Sequence, residues 1–214
     1  MRYAILISGQ PRTFDFEEQY HMFKHFLTSL ESYDVYILFK MKDTRHMHNK
    51  SVEKIIKLLN PLYFNYFYDF KIQGVYYSQM KMIDLLIEKM TCYEKGLKIR
   101  YDGIIRFRPD VYVPPIRPFK MEDYIYTSIK TDSWGNDQFF IINRKMVEEW
   151  WIEYVRPTLT MKYLYEKCPD YIIFNGYPVK QIVPSALIRD KQVCQTWNGN
   201  VPLVIPWIKI EYKD

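Results

Sequence analysis

Residues 101–112 read Tyr101-Asp102-Gly103-Ile104-Ile105-Arg106-Phe107-Arg108-Pro109-Asp110-Val111-Tyr112. Through Arg108 the stretch fits a β-strand, whose side chains alternate between two faces. Ile105 and Phe107 fall on one side, where core residues belong. Arg106 and Arg108 fall on the other, joined by Asp110 if the strand runs that far. Pro109 cannot donate to a strand ladder, and Pro114, Pro115 and Pro118 follow, so an extended loop is expected next.

Working outward, the same chain upstream alternates strand and helix. Residues 3–8 are continuous, aliphatic and cut off by Gly9-Gln10-Pro11, the pattern of a buried strand. Over 15–31, Phe16, Tyr20, Phe23, Leu27 and Leu30 recur at three- and four-residue steps and predict a helix. Residues 34–40 predict a second strand, followed by a polar, basic loop over 42–50. Ser51 can cap a short helix carrying Val52, Ile55, Ile56 and Leu59, which Asn60-Pro61 stops. Residues 62–69 predict a third strand. Residues 75–95 predict a helix through Tyr76, Met80, Ile83, Ile87 and Met90, with Gly96 as C-cap. Downstream, strands are expected over 124–129 and 138–143 and helices over 145–155 and 158–167. A proline-containing tail, 169–214, is expected to wrap the core.

This alternation predicts an α/β fold: one domain over 1–214, with a central mixed, mostly parallel sheet of about six strands flanked by helices. The chain is also short enough to be one domain of a longer protein. In such a sheet ligands bind at the carboxyl ends of the strands. The first strand ends at Ser8-Gly9-Gln10-Pro11-Arg12, the second at Lys40 and the fourth at Arg108-Pro109-Asp110. These ends lie along one edge and can converge on one ligand.

Composition narrows the chemistry. The net charge of +5 in 214 residues suits a small anionic ligand and falls short of a dedicated nucleic-acid binder. Twenty tyrosines suit surfaces that stack on sugars or bases. Three scattered cysteines, without a CxxC pair, argue against a cysteine zinc site and for reduced thiols in a cytosolic protein. The apolar run at residues 3–7 is too short for a signal sequence, and no stretch approaches a membrane span. GxSxG, Walker A, HExxH and GxGxxG motifs are all missing from the sequence.

Three constellations remain. Arg106, Arg108 and Asp110 place two cations and a carboxylate together, an arrangement that a diphosphate with a divalent metal would satisfy and that an internal Arg–Asp salt bridge would also explain. At Ser8-Gly9-Gln10-Pro11-Arg12, Gly9 permits a tight turn, and backbone N–H groups with Arg12 could face a phosphate or base. An ordinary strand-to-helix turn explains those residues as well. In Trp134-Gly135-Asn136-Asp137-Gln138-Phe139, Asp137 is a candidate general base or sugar-hydroxyl ligand in a turn built from common turn residues. His46 and His48, in the basic loop with Asp43, lack a nearby third ligand and are read as solvated.

With "ILISGQPRTF", "YDGIIRFRPDVYV" and "WGNDQFFIINRKMV" in this order, the whole chain resembles the GT-A nucleotide-sugar glycosyltransferases, and among them the virus-encoded glycosyltransferase domain of chlorella viruses. The resemblance implies transfer of a sugar from a UDP-sugar donor to a glycan or glycoprotein acceptor, the viral capsid protein included, in the host cytoplasm. It implies Mn²⁺ or Mg²⁺ held against the donor diphosphate by an Asp-x-Asp motif at a strand end. Asp110 is the matching metal ligand. Read forward as Asp110-Val111-Tyr112, the motif lacks its second carboxylate. Ser8, Gly9, Gln10, Pro11 and Arg12 correspond to the nucleotide-binding loop, and Arg12, Arg106 or Arg108 would stabilise the departing UDP. Asp137 would be the base if the anomeric centre inverts, or a hydroxyl ligand if it is retained. Glucose is the default donor sugar, with a deoxyhexose such as rhamnose open. A non-catalytic glycan- or nucleotide-binding module is the competing reading.

Overall fold

The computed structural model describes residues 1–11, 17–41, 50–68, 75–113, 121–127, 139–159, 178–181, 185–189 and 192–197. The chain forms an α/β/α sandwich around a seven-stranded mixed sheet. Its strands are β1 (Arg2–Gly9), β2 (Ser32–Met41), β3 (Tyr63–Tyr68), β4 (Gly103–Phe107), β6 (Ile125–Thr127), β7 (Phe139–Asn143) and β8 (Val179–Gln181), in the order β3-β2-β1-β4-β7-β6-β8. β3, β2, β1 and β4 run parallel, β7 opposes both β4 and β6, and β8 is parallel to β6. This is the mixed, mostly parallel architecture expected from the sequence, with the short β8 at one edge. A second sheet of three strands joins β5 (Val111–Tyr112), β9 (Ser185–Arg189) and β10 (Gln192–Trp197) in the order β10-β9-β5.

Strand alternation sorts the core into two layers. Ile5, Ile7, Val35, Ile37, Phe39, Ile105 and Phe107 face helices α1 (Glu17–Leu27) and α2 (Lys50–Leu59), meeting Phe23, Phe26 and Ile55. Phe26 and Phe107 pack edge to face with centroids 4.7 Å apart, a geometry favoured by the ring quadrupoles. On the other face, Ala4, Leu6, Leu38, Ile104 and Phe140 meet helix α3 (Val75–Leu97) and a fourth helical run. This run, α4, joins Arg144–Met146, Val147–Val155 and Arg156–Thr158 without a break. Asn143 caps it, its side chain accepting from the Met146 N–H at 2.8 Å. The middle widens to π-helical spacing, seen where the Arg156 N–H meets the Trp151 carbonyl. Adjacent Trp150 and Trp151 are both fully buried there, against Phe140.

Local details differ from the sequence reading at the helix ends. Ser51 lies inside α2, which already begins at Lys50. Gly96 lies inside α3, and Lys98 takes the left-handed conformation (φ 53°) that ends it, while the Ile99 N–H returns to the Glu94 carbonyl. Asn60, with φ 42°, terminates α2 where expected. The two helices expected over 145–155 and 158–167 begin as the single run α4, and residues beyond 159 in that span lie outside the described set.

Asp84 ties α3 to α4. It is 3% exposed, accepts from Arg156 Nε at 2.6 Å and Trp151 Nε1 at 3.2 Å, and pairs with Lys81 at 3.2 Å. Arg156 and Lys81 are themselves partly exposed, so solvent screens part of the attraction. Asp84→Ala is expected to destabilise the fold by about 2 kcal/mol, below the usual cost of breaking a fully buried pair. Urea denaturation of the variant beside wild type measures this directly.

Candidate functional site

The carboxyl ends of β1, β2 and β4 lie side by side. Ile7 pairs with Phe107 and Gly9 with Phe39, so the three chain exits expected to converge do lie along one edge. β7 enters the sheet at this same edge, because Phe139 stands opposite Phe107 in the antiparallel ladder.

Gly9 makes the close approach possible. Its φ is +136°, a conformation that side chains rarely adopt. A Cβ at Gly9 would stand 3.1 Å from Pro109 Cδ and 3.5 Å from Arg108 Cγ. The end of β1 is thus packed directly on the Arg108-Pro109 segment. Ser8 and Pro11 are buried and Gln10 is half-buried.

The two arginines do different work. Arg106 is fully buried, on the α3/α4 side of β4, and its Nη2 donates to the Ser8 carbonyl at 2.9 Å. It braces the end of β1 against β4, so of the two roles open to it, phosphate ligand or strut, this geometry fits a strut. β4 ends at Phe107, and residues 108–111 form a turn closed by the Val111 N–H on the Arg108 carbonyl at 3.1 Å. The turn, not the strand pleat, brings Arg108 and Asp110 together. Arg108 grips Asp110 with two parallel bonds, Nε to Oδ1 and Nη2 to Oδ2, the latter 2.9 Å long. The arginine side chain is 12% exposed and the carboxylate 2%.

These contacts decide how well the site suits a divalent ion. Both Asp110 oxygens are engaged by a guanidinium, and among the described residues no three His, Cys, Asp or Glu side chains gather. The described residues, as arranged, do not fit a metal centre. Arg108 faces Asp110, while Val111–Tyr112 departs as β5 to pair with Leu187 and Ala186 of β9. Arg12 and Asp137 lie outside the described residues, as do the loop with His46 and His48 and the turn with Trp134.

Sequence reasoning named Ser8 but missed the buried Gln19. The Ser8 hydroxyl and both amide atoms of Gln19 are buried and find no hydrogen-bond partner among the described residues. Each such group costs about 1–3 kcal/mol unless a partner is supplied. The signal for Gln19 was present: it stands at helical spacing with Met22, Phe23 and Phe26, on the buried stripe of α1. The β5–β9–β10 sheet was missed too, because residues 185–189 and 192–197 carry no strict alternation and their pairing is bulged between Val193 and Gln195.

No protein-family model matches the chain, and no curated protein does. Among solved structures, the chain is similar to the apo form of the glycosyltransferase GlyE of Streptococcus pneumoniae TIGR4, at 13% identity over 84% of this chain and 45% of that one, with a TM-score of 0.41. A second GlyE structure aligns at 12% identity over 85% of this chain and 45% of that one, with a TM-score of 0.44. The chain thus spans under half the length of these structures. Among the described residues no helix is long and apolar enough to cross a membrane.

The Gly9–Pro109 contact gives a direct test. Gly9→Ala places a Cβ against Pro109 in a backbone conformation that disfavours it. It is expected to destabilise the fold by about 1–3 kcal/mol, measured as a lower urea midpoint with an unchanged m-value.

Proposed function

We propose that the chain is a glycosyltransferase that moves a sugar from a nucleoside-diphosphate donor, UDP being the expected carrier, to a hydroxyl of a glycan or glycoprotein acceptor. The observation that carries this reading is the packing of the Gly9 turn on Arg108-Pro109 at the carboxyl edge of the parallel strands. A glycine turn with backbone N–H groups and a forked cation beside it suits a diphosphate. The sequence resemblance to the GT-A nucleotide-sugar transferases supports the same reading, and with it a capsid glycan as acceptor.

The residues divide the chemistry between them. The acceptor oxygen forms a bond to the anomeric carbon as that carbon's bond to the diphosphate oxygen breaks. The acceptor's proton passes to the Asp137 carboxylate in a single inverting displacement. The electron pair of the broken bond leaves on the diphosphate, where the Arg108 guanidinium offsets the growing negative charge. Gly9 and Gln10 present main chain to the phosphates or the base, and Arg106 keeps that main chain in place through Ser8. Asp110 orients Arg108 by holding two of its N–H groups.

The test is direct. Titration calorimetry with UDP, with and without Mn²⁺, should show saturable binding, and a UDP-sugar should be hydrolysed slowly without acceptor. Failure of UDP to bind under both conditions removes the proposal. Asp137→Asn should lower the turnover number by about 100-fold or more while leaving UDP affinity within twofold. Binding without hydrolysis or transfer for any acceptor would instead favour a glycan- or nucleotide-binding module.

A further inference from the structure

We infer that Arg108 stands where a divalent cation would otherwise sit, so that the donor diphosphate is bound and its departure assisted by a guanidinium built into the chain. The inference rests on the proposed glycosyl transfer and concerns what neutralises the leaving group. It replaces the metal expected from the family resemblance with a side chain of the same strand-end turn.

Three observations carry it. First, Arg108 and Asp110 are two residues apart and face each other across the turn, with both carboxylate oxygens in the fork of the guanidinium. An arginine holding a carboxylate in this bidentate way is among the strongest pairings available to side chains, and here the carboxylate is 2% exposed. Each carboxylate oxygen keeps a further lone pair, but a metal ion taking it would sit beside the positive charge of the guanidinium.

Second, more of the Arg108 side chain than of the Asp110 carboxylate reaches solvent, 12% against 2%. A diphosphate approaching the strand ends can therefore reach the guanidinium, which attracts it. A guanidinium offers five N–H donors in one plane, and a group of that shape can bind a carboxylate and phosphate oxygens together.

Third, Arg108 is fixed on both sides. Its aliphatic stem lies near Gly9, close enough that a Cβ there would stand 3.5 Å from its Cγ. Pro109 fixes the backbone that follows. The cation is thus held beside the turn where phosphate-facing main chain is expected, with its orientation set before any ligand arrives. Preset charge of this kind stabilises a leaving group without reorganisation during the reaction.

Substitution at position 108 separates the alternatives. Arg108→Asp creates the sequence Asp-Pro-Asp and replaces the guanidinium by a second carboxylate beside Asp110. Two measurements are made on wild type and on this variant: UDP affinity in EDTA and in Mn²⁺, and Mn²⁺ binding followed by loss of the free-ion electron paramagnetic resonance signal. Wild type is expected to bind UDP with the same affinity in both media, within twofold, and to leave the Mn²⁺ signal unchanged. Arg108→Asp is expected to lose UDP binding in EDTA by at least tenfold and to recover part of it with Mn²⁺, with matching loss of the free-ion signal.

Should the Asp variant fail to fold, Arg108→Lys keeps the charge without the fork. It is expected to weaken UDP binding severalfold and to remain insensitive to EDTA. Wild-type UDP binding that improves tenfold or more with Mn²⁺, or Mn²⁺ binding to wild type alone, overturns the inference. A folded Arg108→Asp with no response to Mn²⁺ also overturns it, by removing Arg108 as the reason. Absence of UDP binding in every condition removes the proposed transfer itself, and the Mn²⁺ signal of wild type against Arg108→Asp still reports on position 108.

Discussion

Everything in this molecule hangs on β1. It is hydrogen-bonded on one edge to β2 and on the other to β4, and helices cover both of its faces, so residues 3–9 are all buried. A strand held this way has one register. Slipping by one residue would move Ile5 and Ile7 out of the layer under α1 and put Ser8 into it. The fixed register delivers two consequences at the strand's end. The Ser8 carbonyl arrives in front of the Arg106 guanidinium, and Gly9 arrives against Pro109.

From that constraint the charges at the sheet edge follow. Burying Arg106 among aliphatic neighbours is costly unless its donors are used, and the Ser8 carbonyl is one acceptor that β1 supplies. Arg108, past the end of β4, is relieved of that fate because the turn at 108–111 lifts it to a position with some access to solvent. The carboxylate of Asp110 takes the buried place instead, with its charge matched by the arginine. The same Arg-x-Arg-x-Asp string therefore yields one brace and one partly buried, oriented cation. At the far end of the strands a separate network closes the sheet. There Asp34 accepts from Arg2 at 2.7 Å and from Tyr101 at 2.9 Å, and burial pushes the Tyr36 hydroxyl's pKa up to about 12. That end holds the strands together.

Much of this was legible in the sequence, for a physical reason. Strands buried on both faces are written as unbroken aliphatic runs, and Ile5-Leu6-Ile7 and Ile104-Ile105 are hard to read otherwise. The alternation of Ile105 and Phe107 against Arg106 placed the two apolar residues in the layer under α1, but Arg106 on the opposite face is buried as well. What could not be read were features set by contacts distant in sequence. Lys98, rather than the nearby Gly96, takes the left-handed position because the helix runs to Leu97 before Ile99 turns back to Glu94. The pairing of Val111–Tyr112 with residues 186–187 joins segments some seventy-five residues apart, and nothing local announces it. At the candidate site, the Arg108–Asp110 salt bridge is one of the two readings the sequence leaves open, but it is made by a turn, because the strand stops at Phe107.

The central claim is that a nucleoside diphosphate binds at the carboxyl edge of β1 and β4, beside Gly9 and Arg108. A crystal structure of the protein grown with UDP and Mn²⁺ tests it most directly. The account predicts diphosphate oxygens within hydrogen-bonding distance of the Arg108 guanidinium, with the bidentate pair to Asp110 intact. UDP bound elsewhere on the molecule, or a manganese ion on Asp110 with Arg108 swung away, would contradict it.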